Sequence, residues 1–200
     1  ENLSRHADAA LIVNATPAGM YPNVEGAAIG NISSFPKLKG VLDLVYNPAR
    51  TTILLEAEKR GIVAENGLLM LVAQAKESAE WFTGKPIADG VIDKIYRKLR
   101  RQMENIILVG MPGSGKTTIG TLLAKALNRE FLDADAVLEQ RAGRPIIQII
   151  PQEGEDAFRA METAVLQDLG KRSGLVLATG GGCVTRTENY AAMHRNGCIV

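Results

Sequence analysis

This 200-residue chain has little of what disulfide-held, membrane-spanning or nucleic-acid-binding proteins rely on. Cysteine is scarce: Cys183 and Cys198 lack CxxC spacing and imply neither a disulfide framework nor a zinc site, so a reducing, cytoplasmic setting is expected. Charge of one sign is missing too. Lys and Arg total 23 against 22 for Asp and Glu, and without a long block of either sign a polyanion has no track to follow. The nearest basic cluster, Arg97, Lys98, Arg100 and Arg101, ends an amphipathic stretch and reads as a solvated helix face. No apolar run approaches the roughly 18 residues of a membrane span, and ENLSRHADAA at the start lacks the form of a signal peptide. The expected partners are therefore small molecules, with no nucleic acid and no membrane.

What is present is a repeated alternation of short apolar runs and helical patterns, which predicts an α/β fold with parallel sheets. Strands are expected at 11–14, 41–46 and 62–64, with helices over 51–60, 67–82 and 88–103. Leu68, Leu71, Val72, Ala75 and Ala79 share one face of the second helix, and Val91, Ile92, Ile95 and Leu99 one face of the third. A second series begins with a strand at 106–109 and continues with a helix over 116–127 and a strand at 131–133. Helices over 134–142 and 153–171 and a strand at 175–178 complete it. The boundary falls between Lys98 and Glu104, giving domains of 1–102 and 103–200. Because apolar runs lie almost at the start, in Ala10-Leu11-Ile12-Val13, and again at Cys198-Ile199-Val200, a piece cut from a longer protein is expected.

Between the strand at 106–109 and the helix at 116 stands GMPGSGKT, which satisfies G-x-x-x-x-G-K-[ST]. Backbone N–H groups of such a loop converge on phosphate oxygens, helped by the positive end of the following helix dipole. Glycine is required where positive φ angles and close backbone approach occur. Lys116 is placed to neutralise the β- and γ-phosphates and Thr117 to ligate Mg²⁺. The alternative is an ordinary Gly-rich βα turn.

Three further features narrow the chemistry. Asp133-Ala134-Asp135 closes a strand, where carboxylates point into the ligand crevice of an open sheet. One suits a metal and the other a substrate hydroxyl, while a helix N-cap is the competing role, more so for Asp135. Arg159 offers a planar fork for a carboxylate, against an exposed pair with Glu162 one turn on. Gly180-Gly181-Gly182 follows an apolar strand and permits close approach of a ligand, against a plain flexible turn.

Taken in order over residues 105–200, GMPGSGKTT, DAD, EDAFRAMET and TGGG resemble shikimate kinase, which phosphorylates the 3-hydroxyl of shikimate with ATP and Mg²⁺. The resemblance implies that Gly110, Gly113, Ser114, Gly115, Lys116, Thr117 and Thr118 hold ATP. It puts Thr117 and Asp133 at the metal. Asp135 binds shikimate hydroxyls and acts as base, so that Lys116 and Asp135 are the catalytic pair, while Arg159 takes the carboxylate and Gly180, Gly181 and Gly182 the ring. The family also uses a mobile lid with an arginine and another carboxylate-binding arginine, both beyond Val200; little or no turnover by these residues alone is expected. Another small-molecule kinase, such as one for gluconate, and a non-catalytic nucleotide-binding module remain open.

The first hundred residues resemble the end of shikimate dehydrogenase, an NADPH-dependent reductase of 3-dehydroshikimate, through NATPAGM at 14–20, DLVYNP at 43–48 and NGLLMLVAQA at 66–75. The resemblance implies a Rossmann-like NADP-binding domain in which Asn14, Thr16, Gly67 and Met70 contact NADP(H) and Tyr46 and Gln74 the substrate. That family's Gly-rich dinucleotide turn, catalytic lysine and aspartate have no counterpart here. A dehydrogenase preceding a kinase in one polypeptide is the resulting expectation, with a P-loop kinase-type α/β/α domain second. His6, His194, Trp81 and Cys183 are read as packing or surface residues.

Overall fold

A helix between two strands returns the chain to the end of the sheet where the first strand began, so short apolar runs joined by helices pair in parallel, as every strand pair here does. The computed structural model describes residues 3–200, and the chain divides into two units, Glu1–Gln102 and Met103–Val200. In the first unit β1 (Leu11–Asn14), β2 (Gly40–Asp43) and β3 (Val63–Asn66) form a sheet in that order. Ile12 and Asn14 of β1 are buried while Leu11 and Val13 are exposed, the period of two that a pleated strand imposes. The registers Asn14↔Asp43 and Asp43↔Asn66 bring a polar residue to the end of all three strands.

Helix α1 (Thr52–Lys59) connects β2 to β3 and buries Ile53, Leu54 and Ala57 in a cluster with Ile12, Ile32 and Val41. Each fully buried aliphatic side chain of this kind contributes about 1.5–3 kcal/mol. Helices α2 (Leu68–Thr83) and α3 (Gly90–Met103) follow, and their apolar faces line a common groove containing Leu71, Val72, Ala75, Ile92, Ile95 and Leu99. Lys76 of α2 pairs with Glu80 of the same helix at 3.1 Å and ties the connecting turn down through Asp89 at 3.0 Å.

The strand expected over 41–46 stops at Asp43. The Val45 amide donates to Asp43 Oδ1 at 3.0 Å, so the backbone folds back onto a side chain instead of continuing the ladder.

In the second unit β4 (Asn105–Leu108), β5 (Phe131–Asp133), β6 (Val176–Ala178) and β7 (Gly197–Ile199) form a sheet ordered β5-β6-β4-β7. Every residue of β6 is buried between its two neighbours. Helix α4 (Lys116–Leu127) packs on β5 and β6, and α7 (Glu155–Gly170) packs on α5 (Ala134–Ala142), α6 (Ile146–Glu153) and α8 (Thr187–Asn196). Ile107, Leu138, Ile149, Leu166, Leu177 and Met193 make the centre of that core.

The helix expected over 153–171 is present as α7, and α6 precedes it where no helix is expected. Gly154, at φ +87°, adopts a conformation that L side chains disfavour and separates α6 from α7. Neither α6 nor α8 has a counterpart among the expected elements.

Candidate functional site

At the carboxyl ends of β4, β5 and β6 the second unit gathers its loops, the position where open parallel sheets hold ligands. The loop between β4 and α4 turns at Gly110, Gly113 and Gly115, with φ of +150°, +76° and +87°. Those angles account for the three glycines. Gly115 immediately precedes α4, so the unpaired N–H groups of its first turn open onto the loop. Lys116 Nζ donates to the carbonyls of Gly110 and Met111, each at 2.9 Å, which folds the ammonium over the turn. Ser114, Thr117 and Thr118 follow the same turn, with Ser114 N donating to Met111 O at 3.2 Å.

Thr117 Oγ1 donates to Asp133 Oδ2 at 2.8 Å, while Asp133 Oδ1 accepts from the Asp135 amide at 3.1 Å. Asp133 is thus the N-cap of α5, the role that the residue order assigned more readily to Asp135, and it reaches the phosphate loop with its other oxygen. A hydroxyl and a carboxylate oxygen side by side at such a loop fit Mg²⁺, which takes one or two protein oxygens and leaves the rest of its shell to water and phosphate. Asp135, relieved of capping, sits in the first turn of α5. Burial first, then the charges of Asp133 and Glu162, push its carboxyl above the usual aspartate range, with Lys116 opposing them.

Arg159 pairs with two carboxylates of its own helix, Glu162 Oε2 and Glu155 Oε1, each at 3.1 Å. An exposed pair with Glu162 is the competing reading of Arg159. Instead Glu162 is 2% exposed, and its Oε1 is buried without a hydrogen-bond partner. Its burial is not legible in the residue order, because an i,i+3 Arg–Glu spacing is ordinary on a helix surface. The three glycines explain how these groups meet. A methyl group on Gly180 would come within 2.7 Å of both Asp135 Oδ1 and Glu162 Oε1; on Gly181 it would press into Pro112 of the phosphate loop, and on Gly182 into the Arg159 guanidinium. Gly180, Gly181 and Gly182 are glycines because carboxylates, loop and guanidinium close in on their backbone. Thr179 binds the segment to the loop's entrance, its N and Oγ1 donating to Leu108 O at 3.1 and 3.0 Å. Cys183, next in line, is buried, and burial raises its thiol above the ordinary range, which keeps it protonated and inert.

In the first unit a cavity of 240 Å³ is lined by Thr16, Pro17, Tyr21, Val45, Tyr46 and Asn47, among others. Of the residues singled out beforehand, Thr16 and Tyr46 face it. Asn14 does not: it is 4% exposed and its amide is spent on Asp43 Oδ1 at 2.9 Å and on Thr16 N and Oγ1 at 3.0 and 2.7 Å. Gly67 lies behind the 44–47 wall, where its lack of a side chain admits the Leu44 carbonyl. Met70 and Gln74 are exposed on α2, away from the cavity lining.

Fold and loop together make the second unit an α/β unit with parallel strands and a P-loop type of turn between β4 and α4. Residues 112–200 match the family model for shikimate kinase. Over 101 residues the chain is 52% identical to shikimate kinase from Synechococcus sp. (strain RCC307), covering 50% of this chain and 51% of that protein. A solved shikimate kinase from Acinetobacter baumannii in complex with shikimate is 46% identical, covering 51% of this chain and 57% of that one, with a TM-score of 0.49. A chorismate mutase/shikimate 5-dehydrogenase fusion protein from Clostridium acetobutylicum is 37% identical over 44% of this chain and 32% of its own, with a TM-score of 0.42. The chain spans about half the length of the curated relatives it matches. No helix among the described residues is long and apolar enough to cross a membrane.

Proposed function

We propose that the second unit binds ATP and shikimate as part of a shikimate kinase, which moves the γ-phosphoryl group to the 3-hydroxyl. The observation that carries this reading is the convergence at Gly180–Gly182 of Asp135, Arg159 and Pro112, residues otherwise scattered over 48 positions of chain (159 minus 111). In this reading the loop amides and Lys116 hold the triphosphate, and Arg159 fixes the acceptor's carboxylate. Asp135 accepts the proton of the attacking hydroxyl as its oxygen bonds to the γ-phosphorus and the bond to the β–γ bridging oxygen breaks, releasing ADP. Thr117 and Asp133 hold Mg²⁺, which when bound neutralises phosphate charge. Positioning and charge stabilisation are most of what such a transfer needs. The raised carboxyl of Asp135 favours its task, since a base closer to neutrality takes a proton more readily.

The first unit, in the same reading, is the closing part of a shikimate dehydrogenase, with Thr16 and Tyr46 toward NADP(H) and 3-dehydroshikimate, respectively, and both activities act in the cytoplasm. Asn14 and Gly67 then shape the site from behind, and the exposed Met70 and Gln74 of α2 would meet the cofactor and the substrate, respectively, outside the cavity lining. Its product would be the substrate of the second unit.

Because the chain spans about half of its relatives, binding tests the reading more directly than turnover does. Calorimetric titration should detect both ATP and shikimate, with shikimate binding weakened by Arg159→Ala and by Asp135→Asn. A chain that binds gluconate in preference to shikimate would overturn the assignment of acceptor.

A further inference from the structure

A carboxylate buried at the end of a strand must accept hydrogen bonds or forfeit several kcal/mol, so the donors around it reveal what it organises. Asp43 is fully buried, at 0% exposure. Its Oδ1 accepts from Asn14 Nδ2 at 2.9 Å and from Val45 N at 3.0 Å, and its Oδ2 accepts from Thr51 Oγ1 at 2.5 Å. These donors belong to three separate segments. Asn14 ends β1 and in turn holds Thr16, whose hydroxyl accepts from Ala18 N at 3.3 Å. Val45 belongs to the 44–47 wall of the cavity. Thr51 stands before α1, and its methyl group lies beneath Gly19, where an added Cβ would be 3.3 Å away. Both walls of the cavity, 15–21 and 44–47, are thus hung from one carboxylate that does not itself line it.

We propose that Asp43 is a positioning residue that holds Thr16 and Tyr46 in register on opposite sides of the cavity; the inference rests on the reading of the first unit as part of a nicotinamide site. Asparagine can reproduce this hub. Its amide oxygen accepts from Asn14 and Val45, and its NH₂ donates to Thr51 Oγ1 once that hydroxyl rotates. Alanine cannot, and leaves the Asn14 amide buried and unpaired.

The test uses the ¹⁵N-labelled 200-residue chain, observed by amide NMR and titrated with NADP⁺ at a temperature where every variant is folded. Asp43→Ala is expected to shift the amides of Thr16, Ala18 and Tyr46 and to weaken NADP⁺ about tenfold, whereas Asp43→Asn keeps those amides in place and the affinity within about twofold. Thr51→Val, which deletes one donor at constant shape, carries the test if Asp43→Ala does not fold: it should move the 16–18 amides in the same direction by a smaller amount. Asp43→Ala protein that melts at a lower temperature, yet keeps the wild-type amide positions and NADP⁺ affinity while folded, overturns the proposal in favour of a purely structural role. A wild-type chain that does not bind NADP⁺ overturns the nicotinamide reading, and the amide comparison then decides the positioning role alone.

Discussion

The two units end their strands with the same kind of residue and spend it in opposite ways. In the first, Asn14, Asp43 and Asn66 stand in one register row, and their side chains bond to one another or to nearby backbone, Asn66 Nδ2 reaching Ala49 O at 2.9 Å. In the second, Asp133 caps a helix and meets Thr117, while Asp135 and the buried Glu162 Oε1 close on Gly180. A polar strand end can therefore be scaffold or chemistry, and its hydrogen bonds tell which. Where each is spent internally, as at Asp43, the residue supports a site; where burial raises a carboxyl beside a loop, as at Asp135, the residue is a candidate for a ligand.

The comparison is broken most severely by Lys116→Ala, which should reduce ATP affinity more than about a hundredfold, because a cation on the triphosphate is lost from a site with few others. Titration calorimetry measures it, and near-wild-type affinity would place nucleotide elsewhere. Next, Asp43→Ala should lower the urea-measured stability of the first unit by about 3 kcal/mol, the cost of stranding its buried donors. Gly182→Ala, whose new methyl group meets the Arg159 guanidinium, should weaken shikimate about tenfold and leave ATP within about twofold. The reverse pattern would mean that this glycine serves the nucleotide.

The smallest effect sharpens the contrast by pH. Folding raises the Asp135 carboxyl above its ordinary 3.8, so folding favours the protonated form. The stability this lends is complete below 3.8 and is lost as pH climbs through the folded value. Asp135→Asn removes that loss, so the variant should melt about 2 °C above wild type at pH 7 and together with it near pH 3. Calorimetric scans across that range check the sign.

How much of this was legible beforehand follows from the physics of each element. The strand at 11–14, the helix at 116–127 and the strand at 131–133 carry their own signals, an apolar run for the strands and for the helix an apolar pattern between Gly115 and Asn128. Ile146–Glu153 does not. Its Ile-Ile-Gln-Ile-Ile run is too short for period to separate helix from strand, and Pro151 inside it speaks against a helix that tertiary packing of Ile149 nonetheless sustains. Thr187–Asn196 escaped because its buried face contains Asn189 and Asn196 beside Ala192 and Met193, so no apolar stripe is visible.

At the site, Lys116, Asp135, Arg159 and the three glycines could be named from motif order. That Glu162 is buried, or that Asp43 gathers donors from residues 14, 45 and 51, depends on long-range approach that no local spacing encodes. Asp43 was especially well hidden, since in Val-Leu-Asp-Leu-Val-Tyr a charged residue looks like an exposed position on a strand.

Amide NMR of the labelled chain, with ATP and then shikimate added in turn, tests the shared site most directly. ATP should move the amides of residues 110–118, and shikimate those of Asp135 and 180–182. Shikimate shifts confined to residues 15–47, or an unmoved 110–118 loop at saturating ATP, would contradict the account.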